Sequence, residues 1–126
     1  MKNINLEASK TSPKIVLNEN DNIIVIEGDS YPEDSFKFYE PILEWVTLYL
    51  PFVSEEVHVT LNIPYLNSSS LKVIYSLFVL FEKAVESGKS INVTWKYDAE
   101  NDMSLEDGEE FRESFNTLNM KLVEIS

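Results

Sequence analysis

Two strictly alternating segments, separated by one long apolar helix pattern, restrict the possible folds more than anything else in the chain. In EEVHVTLNI, Val57, Val59, Leu61 and Ile63 fall on one face and His58, Thr60 and Asn62 on the other; SINVTWKYD repeats the pattern with Ile91, Val93, Trp95 and Tyr97. Such runs of period two are half-buried strands. Between them, SSSLKVIYSLFVLFEKAVESG sets Leu71, Ile74, Leu77, Phe78 and Phe81 at helical spacing and stops at Gly88. Strand, helix and strand in this order form a βαβ unit, which implies parallel pairing with the helix on one face of the sheet.

The flanking sequence extends this unit. INLEA, KIVL and IIVIEG read as three strands, the last two joined by the Asn/Asp-rich turn NENDN. GDSYPEDS supplies turn and N-cap residues before SFKFYEPILEWVTLYL, where Phe38, Ile42, Trp45 and Tyr49 recur at helical spacing. Pro41 predicts a kink there, or a helix that effectively starts later, and Pro51 marks the end. A second apolar stripe on this helix, Phe36, Tyr39, Leu43, Val46 and Leu50, is either covered by its neighbours or left as an interface. After Asp98 an acidic stretch leads into a short helix around Leu105 to Phe115, and MKLVEI forms a last strand. The expected fold is α/β: a mixed β-sheet with three helices mainly on one face, in the order β-β-β-α-β-α-β-α-β.

A chain of 126 residues, 44% hydrophobic, is sized for one domain with one core, spanning 1–126. The longest apolar stretches, Ile42 to Val53 and Val73 to Phe81, are interrupted and fall short of the roughly 20 residues a bilayer span needs. MKNINLEASK has no apolar signal-peptide core, so a cytoplasmic location is expected. The absence of cysteine excludes disulfides, thiolate nucleophiles and cysteine-held zinc. A formal charge of −12 repels nucleic acid and anionic lipid alike. The single histidine, His58, lies on the polar side of a strand, and there is no Gly-rich phosphate loop. No enzyme activity and no cofactor are expected.

Two segments could carry chemistry. In DAENDMSLEDGE, Asp98, Glu100, Asp102 and Glu109 occupy the first, third, fifth and twelfth positions of an EF-hand frame, so a small calcium- or metal-responsive binding domain using 98–109 is an alternative function. The frame's sixth position, which needs glycine, holds Met103, and a strand rather than a helix precedes it. The acidic run from Asp98 to Glu113 is by default a solvated face, and it could steer a basic partner. The other segment is LNIPYLNSSSLKVI, where a strand passes through a short polar turn into the central helix, and Asn67 or Ser68 must be the N-cap.

The segment Leu61 to Ile74 resembles the phosphorylation segment of anti-sigma-factor antagonists, the STAS domains: their Asp-Ser-Ser-Gly-Leu motif aligns with Asn67, Ser68, Ser69, Ser70 and Leu71. The chain as a whole is similar to the SiaC family of bacterial regulatory phosphoproteins through GDSYPEDSFKFYEPILEWVTLYL, YLNSSS, the WKYD strand and DMSLEDGEEF. The resemblance implies a STAS-like domain that works by partner switching. On this resemblance a serine/threonine kinase is expected to phosphorylate it, a PP2C-type phosphatase to reverse this, and the unphosphorylated form to bind and activate a diguanylate cyclase in cyclic di-GMP and biofilm signalling. The family acceptor is commonly threonine in an Asn-Thr-Ser context; Ser68 occupies that position here, with Ser69 and Ser70 as lesser candidates and Asn67 as the supporting cap.

Phosphate on Ser68 would add a charge of about −1.5 to −2 beside the free amides of a helix N-terminus, an arrangement the helix tolerates. Its effect is then expected at a docking surface. At about 100° per residue, Ser68, Lys72, Tyr75, Val79 and Lys83 form one stripe of the helix, and Tyr75 and Val79 are the apolar positions expected to meet a partner.

Overall fold

The computed structural model describes residues 2–125. Six strands and three helices alternate as the sequence indicates: β1 Ile4–Leu6, β2 Lys14–Asn18, β3 Ile23–Glu27, α1 Ser35–Tyr49, β4 Val57–Asn62, α2 Ser68–Glu86, β5 Ile91–Asp98, α3 Asp102–Ser114 and β6 Asn119–Ile125. The strands form one sheet in sequential order, antiparallel from β1 to β3 and parallel from β3 to β6. Each of the three parallel steps is a crossover advancing the same way across the sheet. With the usual right-handed connection, all three helices therefore lie on one face. This is the mixed α/β arrangement expected, with STAS-like topology.

Alternation puts one residue set under the helices. Leu17, Ile24, Val59, Val93 and Met120 align in register across five strands, and Ile15, Ile26, Leu61, Trp95 and Leu122 form the next row. All but the half-buried Leu122 are buried, and Ile42, Val46, Ile74, Phe78 and Phe81 pack on them from the helices. The opposite face carries Val16, Val25, Thr60, Thr94 and Lys121 in register and has no helix over it.

Two local expectations are corrected, and one choice left open by the sequence is decided. Helix α1 does not start after Pro41: it begins at Ser35, where the Asp34 side chain accepts from the Lys37 amide at 3.1 Å, and runs through the proline. Pro41 faces solvent, so water can satisfy the Lys37 carbonyl that loses its donor. Helix α3 starts at Asp102, earlier than expected, because the Asn101 side chain caps the Ser104 amide at 3.0 Å. The second stripe of α1 is mostly core: Tyr39, Val46 and Leu50 are buried, and of that stripe only Phe36 is well exposed. No helix among the described residues is long and apolar enough to cross a membrane.

Candidate functional site

The parallel strands end where the three helices begin, so the N-termini of α1, α2 and α3 gather at one edge of the sheet. In α/β sheets ligands and partners commonly engage this carboxyl edge. The segment between β4 and α2 is held there by backbone. The Ser30 amide donates to the Tyr65 carbonyl at 2.8 Å, and the Asn67 amide donates to the Ser30 carbonyl at 3.0 Å. Asn101 adds a side-chain bond from Nδ2 to the Pro64 carbonyl at 2.9 Å, tying the start of α3 to the same segment.

Asn67 is the N-cap of α2: its Oδ1 accepts from the Ser70 amide at 2.9 Å, and its carbonyl takes the Leu71 amide at 2.9 Å. The three serines that follow have different environments. Ser70 is buried, its Oγ lying 2.9 Å from that of Ser30 and 3.1 Å from that of Ser35. Ser69 is half-buried, 2.8 Å from the Ser35 Oγ, and donates to Asn67 Oδ1 at 3.2 Å. Ser68 is exposed, and its hydroxyl makes no hydrogen bond to any described residue.

These bonds form one directed chain. Each hydroxyl has a single proton to donate. Ser30 donates to Ser70, so the Tyr39 hydroxyl, 2.6 Å away, must donate to Ser30. Ser69 donates to Asn67, so Ser35 donates to Ser69 and Ser70 donates to Ser35. The proton order therefore runs Tyr39, Ser30, Ser70, Ser35, Ser69 and ends on the Asn67 cap. Burial pushes the Tyr39 phenol up to about 12, against the opposing effect of its bond with Ser30, so it stays a donor. Neither Ser30, Ser35 nor Tyr39 was singled out by sequence as part of the site. Serines in a turn give no periodic signal, and the pairing is visible only once α1 and α2 meet.

The exposed apolar side chains supply a second observation. Phe36 follows Ser35 at the start of α1, Tyr65 precedes the Asn67 cap, and Met103 opens α3; all three are exposed. They share the edge that carries Ser68. Of the expected stripe on α2, Lys72 and Tyr75 are exposed, Tyr75 leaning on Phe115, the C-cap of α3, with ring centroids 4.8 Å apart. Val79 is half-buried and packs against the core, and Lys83 lies beside Thr47 and Pro51 at the far end of the helix. Ser68, Lys72, Tyr75 and Lys83 of the stripe are thus exposed, with Val79 half-buried between them.

The four carboxylates of the calcium frame are not brought together. Asp98 ends β5, Glu100 lies in the turn, and Asp102 and Glu109 are in helix α3, so the second half of the frame cannot wrap an ion. Among the described residues no group of three or more metal-ligating side chains forms. His58 faces solvent on the open side of the sheet with Glu56 Oε1 3.3 Å from its Nε2.

A family model described as SiaC family regulatory phosphoprotein matches residues 6–125. An uncharacterized protein of Pseudomonas aeruginosa strain UCBPP-PA14 is 30% identical over 113 residues, covering 90% of each chain. Among solved structures, SiaC of Pseudomonas aeruginosa is 27% identical with a TM-score of 0.86, covering 100% of this chain and 98% of that one. A chain from the crystal structure of the diguanylate cyclase SiaD in complex with its activator SiaC, from the same organism, is 27% identical with a TM-score of 0.91, covering 97% of this chain and 99% of that one.

Proposed function

The chain belongs to the SiaC family of regulatory phosphoproteins, and from that premise we propose that it is a non-enzymatic adaptor switched by phosphate on Ser68. A serine/threonine kinase adds the phosphate, a PP2C-type phosphatase removes it, and the unphosphorylated form docks on and activates a diguanylate cyclase. The similarity to the SiaC that is crystallised as the activator of such a cyclase supports this choice of effector.

The observation that carries the reading is the uncommitted Ser68 hydroxyl on an edge lined by exposed Phe36, Tyr65 and Met103. An apolar edge of this kind suits a protein partner. A dianion set among these side chains keeps its water, and docking would have to strip that water away. Ser69 and Ser70 fit the acceptor role less well, because their protons are already committed within the hydroxyl chain. Lys72 and Tyr75 extend the same docking surface along α2. Val79 contributes little because it is half-buried. Lys83 lies about 22 Å from Ser68 along the helix axis at about 1.5 Å per residue.

The test is stimulation of the cognate cyclase. Ser68→Ala is expected to resist the kinase yet stimulate the cyclase as the unphosphorylated protein does, while Phe36→Ser and Tyr65→Ser lose stimulation without loss of fold. Full stimulation by both apolar-edge variants would overturn the docking surface, and efficient phosphorylation of Ser68→Ala would overturn the acceptor.

A further inference from the structure

The remaining exposed apolar residues of α1 and the turn after it mark a second surface, at the opposite end of the sheet. Leu48 is 54% exposed and Phe52, in the short turn Leu50–Phe52, is 87% exposed. With Val53 they form one wall of a groove of about 500 Å³ whose other side is the β2–β3 hairpin at Asn20 and Asn22, with Glu19 and Glu55 at its rim. Asn22 leads into β3 and Glu55 precedes β4, so the groove lies at the amino edge of the parallel strands. Ser68 lies at their carboxyl edge. The six residues of β4 alone separate the two ends by about 20 Å at 3.3 Å per residue.

The backbone that presents Phe52 is braced. The Lys89 ammonium donates to the carbonyls of Pro51 at 3.1 Å and Val53 at 2.7 Å, which fixes the backbone on both sides of the phenylalanine. The floor is set by Tyr49, whose hydroxyl donates to Asn22 Oδ1 at 2.6 Å. The groove's field is negative at that phenol: burial, then Glu19 and Glu55, push Tyr49 up to about 12. A groove that sets exposed Leu48 and Phe52 opposite polar Asn20 and Asn22, with the carboxylates of Glu19 and Glu55 beside them, on a chain of charge −12, disfavours acidic occupants and complements basic amphipathic ones.

We infer that this groove is a second docking site, taking a basic amphipathic segment of a partner protein, with an apolar side chain against Leu48 and Phe52 and a lysine or arginine at Glu55. It does not rest on the Ser68 reading. Occupancy is independent of the state of Ser68, since no residue is shared between the two ends. An adaptor built this way can stay tethered to one partner while its other edge is switched.

The test is amide chemical-shift mapping of the whole protein titrated with a short amphipathic peptide of leucine and lysine, with a control in which glutamate replaces lysine. Saturable shifts at Asn20, Asn22, Leu48, Phe52 and Val53 are expected with the first peptide and none with the second. Phe52→Ser, a substitution at a solvent-facing position, should weaken binding about tenfold or more; Glu55→Lys should weaken it severalfold, and Ser68→Asp should leave it unchanged. Shifts confined to the acidic face of α3, equal binding of both peptides, or unchanged affinity in Phe52→Ser would overturn the proposal. So would groove shifts that depend on protein concentration without peptide, which would make the surface a contact between two copies.

Discussion

Ser30 and Ser70, separated by 40 positions in the chain, share a hydrogen bond of 2.9 Å with neither side chain exposed to solvent. The bond joins the end of the antiparallel strands to the first turn of α2. Because it lies in the middle of a directed chain of hydroxyls, its loss is felt on both sides.

Ser70→Ala leaves the Ser30 proton without an acceptor and Ser35 without its donor, both in buried positions. The expected cost is about 1–3 kcal/mol, read by urea denaturation. Tyr39→Phe should cost less, about 1 kcal/mol, since only the end of the chain is removed. Ser68→Ala, at an exposed hydroxyl without partners among the described residues, should change stability by no more than about 0.5 kcal/mol.

Gly108 lies where α3 crosses Trp95: a Cβ there would sit 2.6 Å from Trp95 Cδ1 and 2.7 Å from Nε1. The indole is buried and donates to the Ser104 carbonyl at 2.9 Å, so it has little room to move. Alanine is the better helix former by about 1 kcal/mol, yet Gly108→Ala should destabilise by about 1–3 kcal/mol through overpacking. Thermal unfolding and the near-ultraviolet circular dichroism of tryptophan would record both the loss and its place.

Ser104 behaves in the opposite way. Its Oγ is buried with no partner among the described residues, while its carbonyl, not its hydroxyl, serves Trp95. Ser104→Ala should be neutral or stabilise by up to about 1 kcal/mol, with the tryptophan spectrum unchanged.

Asp107 is raised above the usual carboxylate range, first by burial, then by Glu110 and Glu106. A carboxyl whose folded pKa exceeds its unfolded value contributes no penalty at low pH, where it is protonated in both states, and loses stability as pH rises through the folded pKa. Asp107→Asn should therefore be more stable than the parent at pH 7. That advantage should disappear below the unfolded aspartate value of about 3.9, as denaturation midpoints across pH would show.

The sheet and its crossover helices were legible because alternation in 57–63 and 91–97 and helical spacing in 68–87 are strong, repeated signals. The start of α3 was not, because Asn101 is one polar residue in a run of Asp, Glu and Asn, and nothing local marks it as the cap. Pro41 misled for a different reason: the cost of its missing donor falls on a carbonyl that water can reach. The proposal of Ser68 as acceptor comes from family resemblance alone. What separates Ser68 from Ser69 and Ser70 is long-range bonding to Ser30 and Ser35, and no pattern within SSS encodes it.

The most direct measurement is to phosphorylate the protein with its cognate kinase, map the phosphate by mass spectrometry, and titrate both forms against the diguanylate cyclase. The expected result is a single phosphate on Ser68 and an affinity at least about tenfold lower for the phosphorylated form, a difference of about 1.4 kcal/mol or more. Phosphate on Ser69 or Ser70 instead, or equal affinity of the two forms, would contradict the switch.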